Sequence, residues 1–197
     1  MYTIKNQMEN KQVIEKSKFI AYIFNCNSLE DQTHILKNLK REHLSATHIC
    51  YASNFYNKGQ LLSYSSDDRE PSGTAGIQIL QAIKENDLIN VFCAVVRYFG
   101  GIKLGVAGLG RAYKETALTV IIENKKQVEL RTLCKVECDY NQYQIIKKWI
   151  EKNNHSIDNI NYQDNVSFYI YLTNTEQNEA QNMAYNLQVY SDEQKYC

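Results

Sequence analysis

Five glycines, Gly100, Gly101, Gly105, Gly108 and Gly110, are spaced G-G-x3-G-x2-G-x-G and lead into a segment with helical apolar spacing. A glycine-rich stretch at the start of a helix frees backbone N–H groups near the positive end of the helix dipole, which suits an anion such as a phosphate of RNA or of a nucleotide. Arg97, Lys103 and Arg111 flank the stretch with positive charge. The same glycines would also serve tight strand-to-helix packing with no ligand at all. Tyr98 and Phe99, next to them, suit either a stacking surface or the core. No Walker Gly-Lys-Ser/Thr sequence is present.

A second stretch with chemical potential, residues 65–76, reads Ser-Ser-Asp-Asp-Arg-Glu-Pro-Ser-Gly-Thr-Ala-Gly. Asp67, Asp68 and Glu70 stand beside Pro71, and Ser72, Gly73, Thr74 and Gly76 complete the turn. Carboxylates so spaced could hold a divalent cation with waters. Alternatively, Asp68 and Glu70 could cap a helix that opens near residues 72–74, or form an ion pair that orients Arg97 or Arg111. His48, on a strand, is either a core histidine or a base. With Asp68 and Glu70, and with Ser72 or Thr74, it would furnish a hydrolase or phosphotransferase, although no Gly-x-Ser-x-Gly elbow accompanies it. Apart from that possible cation, no cofactor is suggested.

The elements that must position these residues follow from periodicity. Residues 13–24 read as one strand interrupted by Lys16, Ser17 and Lys18, with Phe19, Ala21 and Ile23 on one face. Ser28 and Asp31 mark the start of a helix over 29–43. Residues 47–55 and 61–65 alternate as strands, a helix reaches from the acidic turn to about Asn86, and Val91–Tyr98 is apolar enough to be the central strand. Leu109, Ala112, Tyr113, Thr116, Ala117, Val120 and Ile121 then form the inward stripe of a helix fed by loop 100–110. The polar junction 124–131 divides the chain into 1–128 and 129–197. The second part reads as strand 133–139, helix 141–152, strands 156–162 and 166–173, and helix 175–188. This βαββα order implies an α+β sandwich with both helices on one side of the sheet. Tyr169 and Tyr171 would stand on its open face, as a platform for RNA bases or as an interface with a domain or partner.

Composition narrows the classes. The 197 residues carry 22 basic and 22 acidic side chains and 44% hydrophobic residues, an ordinary globular balance. Residues 1–130 hold 16 of the basic and 13 of the acidic side chains, so a nucleic-acid role would need a local cluster rather than a strongly basic surface. Every glycine, and the single proline, lies between Gly59 and Gly110, and turns elsewhere must use Asn, Asp and Ser. Six cysteines, at 26, 50, 93, 134, 138 and 197, form no C-x-x-C pair and read as reduced thiols rather than metal ligands. Apolar runs reach only six residues, against the ~20 a membrane helix needs. Met1–Phe24 has no apolar core of a signal peptide. The expectation is a cytoplasmic protein with no membrane partner.

The two long signatures, with His48-Ile49-Cys50-Tyr51-Ala52, resemble the Impact/YigZ family. Its pattern is roughly S-D-D-G-E-P-x-G-T-A-G-x-P followed by R-Y-[FY]-G-G-x-x-L-G-x-G-G-L-x-[RK]-A-Y, and the likeness covers residues 15–125. Arg69 stands where the family has Gly, which puts a left-handed turn there in doubt. Gln78 replaces Pro, and Ala107 replaces a Gly and would limit how closely a ligand backbone could approach. The resemblance implies a first domain with the ribosomal protein S5 domain 2-like fold and a ferredoxin-like second domain similar to the last domain of elongation factor G. Eukaryotic relatives of the first domain regulate translation initiation through a protein partner. The glycine stretch and its flanking bases, together with these folds, point to an RNA- or ribosome-binding module in translation control; a hydrolase or phosphotransferase using the acidic turn with His48, and a protein-interaction scaffold, are the alternatives.

Overall fold

The computed structural model describes every residue except Lys58, Tyr185 and Cys197, and every described side chain except that of Asp192. The chain divides into two compact units, Met1–Val128 and Glu129–Cys197. Together they make a two-domain α+β protein, and no helix among the described residues is long and apolar enough to cross a membrane.

The first unit contains β1 (Tyr2–Ile4), β2 (Met8–Ile14), β3 (Ser17–Asn25), α1 (Leu29–Glu42), β4 (His48–Asn57), β5 (Gln60–Ser66), α2 (Gly76–Glu85), β6 (Val91–Tyr98), α3 (Gly105–Ile121) and β7 (Lys125–Gln127). The expected single strand over 13–24 is instead a hairpin of β2 and β3, because Glu15 and Lys16 adopt positive φ values of 45° and 61° and turn the chain without glycine. Asp87, Asn90 and Asn154 turn the chain in the same left-handed way, as expected of short side chains that bond their own backbone.

Five antiparallel strands order as β2-β3-β6-β4-β5, while β1 pairs separately with β7. Strand β6 is central because it is apolar on both faces: Val91 to Val96 are all fully buried. On one face, Phe19, Ala21, Ile23, Cys50, Ala52, Cys93 and Val95 meet α2 and α3. On the other, Ile49, Phe55, Phe92, Ala94 and Val96 pack with Leu39 of α1. Burial of each large apolar side chain here contributes about 1.5–3 kcal/mol.

The second unit contains β8 (Leu130–Cys138), α4 (Tyr140–Lys152), β9 (Ile157–Tyr162), β10 (Val166–Leu172), α5 (Asn174–Met183) and β11 (Asn186–Tyr196). The last helix ends at Met183 rather than 188, and the following polar segment is an additional edge strand, giving the order β11-β8-β10-β9 and completing the ferredoxin-like sheet. Its polar sequence hides it because an edge strand exposed along one side lacks the apolar alternation of a core strand. Tyr143, Ile146, Ile150 and Ala180 cover Val136, Phe168 and Ile170. On the opposite face, Tyr169 packs 6.1 Å from Tyr190 of β11, and Lys195 Nζ sits 3.6 Å from the centre of the Tyr171 ring. All five described cysteines are free and buried; Cys197 lies outside the described residues.

Candidate functional site

The two signatures meet on the α2–α3 face of the first sheet. Antiparallel register places Phe19 of β3 and His48 of β4 on either side of Arg97 of β6. The three side chains therefore share one row near the end of the central strand. Glu70 reaches this row from the acidic turn, and Tyr113 reaches it from α3.

Arg97 is only 5% exposed and Glu70 8%. Arg97 Nη1 donates to Glu70 Oε1 at 2.6 Å, and the Tyr113 hydroxyl donates to the same oxygen at 2.8 Å. Burial, with the Cys50 and Glu70 groups adding to it, drives the Tyr113 phenol far above its ordinary value, so it stays a neutral donor. The guanidinium lies 5.4 Å from the ring centres of both Phe19 and Phe99. Its Nη2 is 3.5 Å from Ser17 Oγ, and its buried Nε has no partner among the described residues. Ser17 Oγ also accepts from Gly100 N at 3.1 Å, and Thr47 Oγ1 accepts from Phe99 N at 3.0 Å. Arg97 is thus spoken for by Glu70 rather than displayed to solvent.

The other acidic-turn residues go separate ways. Asp67 Oδ1 accepts from the amides of Ala75 and Gly76, and Oδ2 from Gly73, so Asp67 caps α2 where Asp68 and Glu70 were expected to. Helix α2 begins at Gly76, later than residues 72–74. Asp68 Oδ2 accepts from Ile49 N at 2.7 Å and ties the turn to β4. Thr74 donates to the carbonyl of Pro71, while Pro71, Ser72 and Gly73 are exposed. The three carboxylates diverge, and among the described residues no group of three or more His, Cys, Asp or Glu could hold a metal ion. Arg69 adopts φ 71° after Asp68 at φ 38°. The left-handed turn is therefore kept without glycine, its strain offset by the bonds on either side.

His48 Nδ1 lies 2.8 Å from the carbonyl oxygen of Asp68. A carbonyl only accepts, so Nδ1 carries the proton, and Nε2 faces Glu70 Oε1 at 3.8 Å, beyond hydrogen-bond length. Cys50 donates to the Asp67 carbonyl, and burial pushes its thiol up to about 12, which rules out a thiolate nucleophile near neutral pH.

The glycines divide by task. Helix α3 starts at Gly105, so Gly108 and Gly110 belong to the helix and not to the loop that feeds it. Gly110 is buried against the Gln78 side chain of α2. Gly76 and Gly100 lie against backbone, that of Ser66 and that of Lys16. Gly101 and Gly105 have φ 88° and 69° and supply the left-handed turns into the helix. No side chain caps α3. Gly105, Val106 and Ala107 of its first turn are exposed, as are Lys103 and Arg111. Exposed Phe99, Ile102 and Val106 adjoin them, and a cleft of about 380 Å³ opens beside the helix start.

Ser17, Thr47 and Tyr113 belong to this constellation but were not singled out from sequence. The available signal was a hydroxyl in an apolar row: Ser17 shares its face with Phe19, Ala21 and Ile23, and Tyr113 lies in the inward stripe of α3.

The Asp67 cap makes a direct prediction. Asp67→Ala should cost about 0.5–2 kcal/mol, the usual loss when the side-chain oxygen that accepts from a helix's first amides is removed. Burial alone would raise the Asp67 pKa, but the bonds from Gly73, Gly76 and Ala75 outweigh it and hold the carboxyl below its ordinary 3.8. A depressed pKa gives stability that is present above the unfolded value and lost as pH falls through the folded one. Urea midpoints of the wild type and variant should accordingly differ at pH 7 and converge as pH is taken below 3.8.

The Impact N-terminal domain model matches residues 15–121, and the model described as a domain of unknown function, DUF1949, matches residues 136–184. The IMPACT family member YvyE of Bacillus subtilis (strain 168) is 32% identical over 182 residues, covering 90% of this chain and 82% of the relative. An IMPACT family member of Haemophilus influenzae is 37% identical over 165 residues, covering 82% of this chain and 80% of that protein. A solved structure described as a crystal structure of a hypothetical protein superposes with a TM-score of 0.67 at 25% identity, covering 95% of both chains.

Proposed function

The chain belongs to the IMPACT family, and from that premise we propose that its first unit binds RNA, free or in the ribosome, in the control of translation. The observation that carries this reading is the start of α3, a helix N-terminus without a capping side chain, preceded by Lys103 and flanked by exposed Phe99 and Ile102. Helix amides and a lysine suit phosphate oxygens, and an exposed aromatic ring suits a stacked base. Arg111, nearly two helical turns on, adds charge to the same element. The translation side of the proposal draws on the family's eukaryotic regulators, and it places the protein in the cytoplasm. Arg97 serves here as a positioning residue: through Glu70 and Ser17 it holds the two loops together.

The test is a salt-titrated binding assay with a short single-stranded oligoribonucleotide and with ribosomes. Lys103→Glu should weaken association about tenfold or more at low salt and flatten its salt dependence. Phe99→Ala should cost about 1–3 kcal/mol, the worth of one stacked base. Unchanged RNA and ribosome association in both variants would remove the site from the proposal. Association with a protein partner that survives nuclease treatment would point to the scaffold alternative instead.

A further inference from the structure

We infer that the cleft beside the start of α3 takes a single unpaired nucleotide, with its base between the apolar walls and its phosphate on the α3 amides. This rests on the RNA-binding reading and names the chemical unit that the site holds.

The cleft, at about 380 Å³, lies in the range of small-ligand sites, about 300–1,000 Å³. Pro71, Phe99, Leu104, Val106 and Leu109 form apolar walls, and the polar groups among its lining residues include Glu70 and Arg97. Arg97 is 95% buried by its 5% exposure, and its enclosed Nε has no partner among the described residues. Glu70 takes both of its hydrogen bonds on Oε1, and among the described residues none falls on Oε2. The cleft therefore sets one unused carboxylate acceptor, Glu70 Oε2, in a largely apolar surface, while the Arg97 Nε stays enclosed by protein.

That combination selects among ligand classes. A purely apolar ligand would leave the Glu70 acceptor unpaired, which is costly in a desolvated site. A bare anion would leave the apolar walls wet and would meet the Glu70 carboxylate. A nucleobase has flat apolar faces and an edge carrying N–H donors that a carboxylate oxygen can accept. Its phosphate then falls to the exposed first turn of α3, where Gly105 enters at φ 69° and Lys103 supplies a cation. A free nucleotide and one residue of an RNA strand present the same chemistry, and the experiment separates these sources.

Calorimetry on the full chain would compare guanosine 5′-monophosphate, ribose 5-phosphate, inorganic phosphate and a short single-stranded oligoribonucleotide. The monophosphate should bind about tenfold or more tightly than ribose 5-phosphate or inorganic phosphate, the gain from one stacked base. Val106→Glu puts a charge on a cleft wall that is 68% exposed. It should leave the melting transition in place and reduce nucleotide affinity about tenfold, the loss of that same stacked base. Equal affinity for monophosphate and ribose 5-phosphate, or no effect of Val106→Glu, would overturn the inference. If RNA still binds in either of those cases, the RNA-binding reading survives without the base pocket. Nucleotide binding that Val106→Glu abolishes, in a protein that binds no RNA, would support the pocket with a free nucleotide as its source and sink the RNA reading. Failure of every ligand to bind would overturn both.

Discussion

Arg97→Ala is expected to destabilise the first unit by roughly 3–5 kcal/mol, the cost of stripping one partner from a buried ion pair. Glu70 is 8% exposed and receives the Arg97 guanidinium at 2.6 Å. Without Arg97 it keeps only the Tyr113 hydroxyl and the more distant His48 ring. The lost side chain also separates Phe19 from Phe99, both of which face its guanidinium. Chemical denaturation at neutral pH would measure the loss. A second variant identifies its cause: Arg97→Met with Glu70→Leu removes both charges and retains volume, so it should be distinctly less destabilising than Arg97→Ala alone. If the double variant is as unstable as the single one, packing around the arginine, and not the uncompensated carboxylate, dominates.

Gly100→Ala carries the second large effect, through sterics and not charge. A Cβ at this position would lie 2.0 Å from the carbonyl carbon and oxygen of Lys16 and 2.5 Å from Ser17 N. Those atoms are backbone of the β2–β3 hairpin, so relief requires the hairpin or the loop to move, at a cost of about 3 kcal/mol or more. The movement would also break the Gly100 N to Ser17 Oγ bond and loosen the Arg97 cluster. Gly101→Ala is the control. Its Cβ would meet nothing within 4 Å, and only its φ of 88° resists the change, which amounts to roughly 1–2 kcal/mol. Thermal melts should rank the two variants in that order; equal melting temperatures would show that the hairpin yields freely.

The contrast between these glycines explains how far the site was legible beforehand. Glycine clustering marked the region because glycine is retained where side chains cannot go, but two physical reasons produce the same letters. Gly100 and Gly76 are required by close backbone approach and Gly101 and Gly105 by left-handed φ, and no spacing rule distinguishes these cases. Arg97 shows the same limit. Its charge suggested either a phosphate contact or an ion pair with the acidic turn, and a register pairing it with Phe19 and His48 puts it on the buried face, where the ion pair with Glu70 forms. The position of Asp67 over the α2 amides likewise depends on how the turn folds back, since three carboxylates within four residues offer the helix equivalent chemistry. Among the elements, the hairpin at Glu15–Lys16 was hidden because two ordinary residues occupy left-handed conformations. Strand β11 was hidden because it is a polar edge strand whose partner, β8, lies roughly fifty residues or more earlier.

By itself, the sequence determined the α+β class, the helices with apolar stripes, the central strand Val91–Tyr98 and the convergence of interest on two loops. Those features arise from short-range periodicity and local backbone permission, which are written in neighbouring residues. Only the tertiary structure decided which loop residues are spent on each other. The Arg97–Glu70–Tyr113 cluster joins a strand, a turn and a helix, and its partners are chosen by strand register and by which face each strand turns inward. The glycine and proline signatures therefore announced where the two loops lie. The fold paired Arg97 with Glu70, spent Asp67 and Asp68 on backbone amides, and left Lys103, Arg111, Phe99 and the open end of α3 facing outward.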